Sequence, residues 1–114
     1  MGYYSTVEGD IRFSREVTVD VLEEIQKLDS FYFVEPEEDS KGIFFDYAEG
    51  KFYSLKKDSE ELVEILSEVG VTATGTLLIE GEENYDVWRL VFTPGSVVEE
   101  KVEMRWPDGS VYRG

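Results

Sequence analysis

From Thr74 to Arg113 the chain reads TGTLLIEGEENYDVWRLVFTPGSVVEEKVEMRWPDGSVYR, and apolar and polar residues alternate through it wherever turn residues do not intervene. A period of two sustained over several runs specifies antiparallel strands with one face buried and one wet. In the middle run Trp88, Leu90 and Phe92 share a side, opposite Val87, Arg89 and Val91. In the last run Val98, Glu100, Val102, Met104 and Trp106 share a side, with only Glu100 out of place, against Val97, Glu99, Lys101, Glu103 and Arg105, and Val98, Val102 and Met104 are expected to be buried. Pro94-Gly95-Ser96 and Pro107-Asp108-Gly109 supply the preset φ and the left-handed position of tight reversals, so these strands pair with their sequence neighbours. A meander of this kind has an apolar face that the rest of the chain must cover.

The earlier residues provide that cover. Tyr3 to Phe13 alternates as a long first strand, with Tyr3, Val7, Ile11 and Phe13 on one face and Tyr4, Thr6, Glu8, Asp10 and Arg12 on the other. Gly9 in its middle marks a bulge or a close backbone approach. Thr18 is placed as the N-cap of a helix to about Leu28, with Val21, Leu22, Ile25 and Leu28 on its apolar stripe. Phe31-Tyr32-Phe33-Val34 reads as a short buried strand, followed by the acidic turn Glu35 to Gly42.

Ile43 to Leu55 reads as a hairpin around Ala48-Glu49-Gly50, with Gly50 left-handed and Tyr47 opposite Lys51. That register puts Ile43, Phe45, Tyr53 and Leu55 on one side and the aromatic pair Phe44 and Phe52 on the other, as a candidate hydrophobic contact or as a surface that another element covers. Asp58 and Glu61 have capping-box spacing at the start of a second helix, whose Leu62, Ile65, Leu66 and Val69 form a buried stripe ended by Gly70. The expected fold is α+β: a mostly antiparallel sheet with two amphipathic helices packed on one face, in a two-layer sandwich related to the ferredoxin-like split β-α-β arrangement.

With 114 residues there is room for one domain and one core, which a 41% hydrophobic composition can fill. No apolar run approaches the roughly 18 residues of a membrane helix, and the start lacks the basic and apolar regions of a signal peptide; the expectation is a soluble, cytoplasmic protein. Gly2 and Thr6 match the form of a myristoylation signal, but without a second, polybasic membrane signal the match reads as chance. The chain has no cysteine and no histidine. Disulfides, Cys-ligated or His-ligated metals, and Ser-His-Asp or Cys-His nucleophile systems are therefore excluded. The common glycine-rich phosphate loops are missing as well.

Carboxylates dominate what remains. Asp and Glu total 26 against 11 Lys and Arg, for a net charge of -15. A field of that sign repels nucleic acid and anionic membranes and attracts cations and basic protein surfaces. Glu60, Glu64 and Glu68 repeat at i,i+4 on the outer side of the second helix, and Glu37, Glu38 and Asp39 crowd the acidic turn; together they are the candidate partner-binding face. Carboxylates on successive helical turns lie roughly 5–6 Å apart, close to phosphates along one strand, so mimicry of nucleic acid is one form such binding can take. Glu80, Glu82, Glu83 and Asp86 form the densest set of oxygen ligands for calcium or magnesium, though without the ordered EF-hand pattern. Arg12, Arg89 and Arg105 sit where exposed cross-strand ion pairs are expected.

Thr74-Gly75-x-Leu77-x-x-Glu80-Gly81-Glu82, Trp88-Arg89-Leu90-Val91 and Trp106-Pro107-Asp108-Gly109, with the opening Gly2-Tyr3-Tyr4-x-x-Val7-x-Gly9-x-Ile11, resemble a family of small uncharacterised proteins of actinobacteria and their phages. The resemblance covers the first strand and about the last third of the chain. It implies a prokaryotic or phage-encoded accessory protein and carries over no site residues. The function expected from all of this is a non-enzymatic acidic module, without a cofactor, that engages a basic protein surface. The rivals are a small-ligand or divalent-cation binder using the aromatic and carboxylate residues, and a homo-oligomeric structural subunit assembling through strand edges or the Phe44 and Phe52 face.

Overall fold

The computed structural model describes residues 4–32, 34–83, 86–102 and 105–111. Along the chain come β1 (Ser5–Phe13), α1 (Val19–Gln26), β2 (Glu35–Pro36), β3 (Gly42–Gly50), α2 (Leu55–Glu68), β4 (Ala73–Gly81), β5 (Val87–Thr93) and β6 (Ser96–Lys101). The strands form one antiparallel sheet in the order β2-β3-β1-β4-β5-β6. The fold is α+β, with the strand order of a ferredoxin-like split β-α-β unit in β1 to β4 and two further strands added beyond β4.

One sheet face is apolar because every second residue is. Val7, Ile11 and Phe13 of β1 lie beside Ala73, Leu77 and Ile79 of β4, and these beside Leu90 and Phe92 of β5. Ile25 of α1 and Leu55, Leu62 and Leu66 of α2 close the same core from the helical side. Thr18 caps α1 as expected, its side chain accepting the Val21 N–H at 3.3 Å. Among the described residues no helix is long and apolar enough to cross a membrane.

Two glycines let β1 and β4 approach. Gly9 has φ +131 and Gly75 has φ +132, and a Cβ at either would come within 2.2 Å of the Thr76 carbonyl oxygen or 2.3 Å of the Asp10 carbonyl oxygen, respectively. Only glycine tolerates both the dihedral and the contact. Gly9 also sits where the β1–β3 register shifts, so the sequence reading of a bulge and a close approach holds on both counts.

Four expectations are corrected. Residues 43–55 are not a hairpin: 42–50 run as the single strand β3, Gly50 has no positive φ, and the chain then turns into α2. The alternation was real, but its second half belongs to the turn that leads into the helix. The aromatic pair accordingly separates. Phe52 is buried, edge-on to Phe45 with ring centroids 6.2 Å apart, whereas Phe44 is half-buried on the opposite sheet face.

Helix α2 starts at Leu55 rather than behind an Asp58 cap. Asp58 is instead a buried residue of the first turn, accepting the Ser30 N–H and the Ser54 hydroxyl at 2.9 Å each, and so ties the segment after α1 to the start of α2. The expected strand over 31–34 is not formed: buried Phe31 and exposed Tyr32 lie in a turn, buried Val34 is irregular, Phe33 lies outside the described residues, and β2 follows at Glu35–Pro36. Finally, β6 has the opposite parity. Val97 pairs with Phe92 and packs on the core, while Val98 and Val102 are 49% and 56% exposed and Trp106 is exposed as well. Inward-facing Phe92 sets which residue of its partner faces inward, and that residue is Val97. Met104 and Glu103 lie outside the described residues.

Candidate functional site

The helices cover one side of the sheet, and the other side faces outward. Its strand positions are Thr6, Glu8, Asp10 and Arg12 on β1, Glu35 on β2, Phe44 and Glu49 on β3, Thr76, Leu78 and Glu80 on β4, Val87, Arg89 and Val91 on β5, and Val98 and Glu100 on β6. Carboxylates gather toward β1 and β3. Thr6 stands between Glu49 and Glu80, and Phe44 stands between Asp10 and Glu35.

A bulge adds a tyrosine to this set. Between Val7↔Ala48 and Gly9↔Phe45 the register shifts, leaving Asp46 and Tyr47 opposite Glu8. Tyr47 takes φ +48, a left-handed conformation rare for a bulky residue and of the kind that collects at functional surfaces. The turn brings its phenol to Glu8. A hydrogen bond to the Glu8 carboxylate raises the phenol pKa above its ordinary value, and the charges of Glu8 and then Glu80 push the same way. Nearby, Tyr4, Thr6, Glu49, Glu80 and Glu82 line an open depression of about 400 Å³. The Tyr4 backbone N–H donates to Glu82 Oε1 at 2.8 Å, and Lys51 Nζ lies 5.5 Å from the Tyr4 ring centroid.

Arg12 and Arg89 are the only basic residues at these outward strand positions, and both are engaged. Arg12 binds Asp39 at 2.9 Å, and Arg89 binds Glu100, its cross-strand partner, at 2.6 Å. The Arg12 hydrogen bond, helped by the Lys41 N–H, holds the Asp39 carboxyl below the usual carboxylate range. Within the face, Glu8, Asp10, Glu35, Glu49 and Glu80 are left without a cation, since the remaining ion pairs among the described residues are Lys27 with Glu24 and Lys56 with Glu60.

The residues picked from sequence are distributed differently from one another. Glu60, Glu64 and Glu68 are exposed on α2, with Glu60 3.8 Å from Lys56. Glu37, Glu38 and Asp39 occupy the loop between β2 and β3, where Glu37 is half-buried and Asp39 is held by Arg12. The C-terminal end of the α2 stripe, at Glu68, and the β2–β3 loop are joined through the segment 15–17, because Val17 N–H bonds the Ser40 carbonyl and the Arg15 guanidinium donates to the Val69 carbonyl. Arg15 sits at that junction, so the two sets are not one uninterrupted acidic surface.

In the β4–β5 turn, Gly81 N–H bonds the Asp86 carbonyl at 2.8 Å and Asp86 N–H bonds the Glu83 carbonyl at 3.2 Å. Glu80 and Glu82 line the same depression, with Glu82 accepting from Tyr4; among the described residues no group of three carboxylates is placed to hold a metal ion. Sequence reasoning put Glu8 and Asp10 outward but did not select them, and it missed Tyr47 and Glu49. The hairpin reading hid these two, and the register shift opposite Gly9 was the one local signal for them. Comparison with protein-family models, with curated proteins and with solved structures gives no match.

Proposed function

We propose that this protein is a non-enzymatic binding module whose acidic outer sheet face engages a basic surface of another protein. The observation that supports this best is the state of the cations: the two guanidinium groups on that face already have carboxylate partners, while Glu8, Asp10, Glu35, Glu49 and Glu80 have no ion pair among the described residues. Carboxylates held side by side on a rigid sheet repel each other, and a partner bringing lysine or arginine relieves that repulsion and is steered toward it. A strand surface also presents its charges at fixed spacing, which lowers the ordering cost of binding relative to a loop. The stripe on α2 is the weaker candidate, because Glu60 is already near Lys56. The resemblance to small actinobacterial and phage proteins supports an accessory or regulatory setting for such a contact.

The test is affinity capture from a bacterial lysate at about 50 mM and about 500 mM salt, since the screening length falls severalfold across that range. A specific partner should be retained at low salt and released at high salt. The combined Glu8→Gln, Glu49→Gln and Glu80→Gln variant should lose it, and Glu64→Gln with Glu68→Gln should keep it. Retention that ignores salt, or that survives the sheet-face variant, would overturn the proposal.

A further inference from the structure

The outer face is not uniformly acidic. Toward β5 and β6 it turns apolar: Val87, Val91 and Leu78 are half-buried, and Val98 and Val102 are the exposed apolar residues next to them. These positions are contiguous, because Val91 pairs with Val98 and the Val102 N–H bonds the Val87 carbonyl at 3.0 Å. The Arg89–Glu100 pair crosses the patch from β5 to β6, next to Leu78 in the adjoining β4 position. A concavity of about 400 Å³ opens over Leu78, Val87, Arg89, Glu100 and Val102, with Trp88 and Lys101 at its β5–β6 side. On the β1 side the patch is bordered by Glu8 and Asp10, directly opposite Leu78 and Thr76, and by Glu80 beside Val87.

We infer that this half of the sheet is the seat of one amphipathic helix of the partner, with its apolar stripe on Val87, Val91, Val98 and Val102 and a lysine- or arginine-rich flank over Glu8, Asp10 and Glu80. The inference rests on the binding reading above and specifies its occupant. Three neighbouring strands span about 10 Å between the outer two, which matches the 10–12 Å diameter of one helix, and an open sheet face is ordinarily covered by such an element. Charge selects among occupants. A second copy of this chain would bring its own -15 and set carboxylates against carboxylates, whereas a basic-flanked helix satisfies the border and the apolar patch together.

Isotope-labelled protein titrated with a defined probe tests this: a synthetic amphipathic helix of leucine and lysine, beside a control of equal charge in which serine replaces leucine. Amide shifts should map to Val87, Val91, Val98 and Val102 with the leucine probe, and the serine control should bind at least about ten-fold more weakly, as expected when apolar side chains lose their burial. Val98→Ser together with Val102→Ser, both at exposed positions and neutral in charge, should weaken the leucine probe by a similar factor with the spectrum otherwise intact. Shifts confined to the Glu64 and Glu68 side of α2, equal binding of both probes, or a dimer that this double variant dissociates would each overturn the inference while leaving an acidic binding module standing. Absence of any shift at about 50 mM salt would remove both.

Discussion

The centre and the edge of the sheet are written in the same alternating code and end in opposite situations. β1 is paired along its length on both sides, to β3 and β4, and its Val7 and Ile11 have no exposed surface. β6 pairs only with β5 and leaves five of its six residues exposed. Alternation therefore decides which residues share a face. Whether that face is covered depends on what the neighbouring strand and the helix layer bring, and past Val97 the core residues run out.

Substitutions should magnify this contrast. The largest effect is expected at the glycines of the central pair: Gly9→Ala or Gly75→Ala forces a Cβ into a backbone carbonyl at 2.2 or 2.3 Å and strains a positive φ, for about 4 kcal/mol of destabilisation in urea unfolding. If either variant unfolds at the wild-type midpoint, the close β1–β4 approach is wrong. Next, Ile11→Ala should cost about 3 kcal/mol as a cavity in the core, and Val98→Ala at the edge no more than about 0.5 kcal/mol. Equal losses at the two sites would mean that the edge is covered and that the outer face is not open.

The same divide sorts the carboxylates. Asp58 lies under the helix layer and accepts two hydrogen bonds, from Ser30 and Ser54. Asp58→Ala strands those donors and should cost about 2 kcal/mol, measured by the shift in denaturation midpoint. Asp58→Asn, which keeps one acceptor oxygen, should recover part of it. Wild-type stability in Asp58→Ala would show that the segment after α1 does not depend on this anchor.

The first strand, the meander through β5, the cap at Thr18 and the stripe of α2 at Leu62, Ile65 and Leu66 were legible because each rests on a local rule: period two, period 3.6, or a capping side chain; Val69, expected in that stripe, is the residue after the helix and is 40% exposed. What was not legible depended on partners distant in sequence. Ser30 is what turns Asp58 from a cap into a buried anchor, and Phe45 is what draws Phe52 inward from the outer face of an imagined hairpin. The acidic surface followed the same logic. Periodicity found the α2 stripe, but the denser grouping on the sheet comes from four strands meeting, and Tyr47 joins it only through a bulge that lies across the ladder from Glu8.

The smallest effect is also the one that bears most directly on function. Asp39 is exposed at the β2–β3 edge, and its pairing with Arg12 and the Lys41 N–H lowers its pKa from the ordinary carboxylate value. A folded pKa below the unfolded one gives stability that is present above the unfolded value, near 3.9 for an ordinary aspartate, and lost as pH falls through the folded value. Asp39→Asn should therefore lower stability slightly at neutral pH, with the difference from wild type shrinking toward zero in acid and shrinking again in about 1 M salt, which screens an exposed pair. Carboxyl chemical shifts followed against pH read the same quantity directly. Should Asp39 titrate at or above the ordinary value, Arg12 is not committed to it, and a free guanidinium on the outer face would compensate Asp10 and its neighbours from within. The charge left for a partner is then smaller than the pairing of Arg12 implies, and the case for the sheet face over the α2 stripe weakens by the same step.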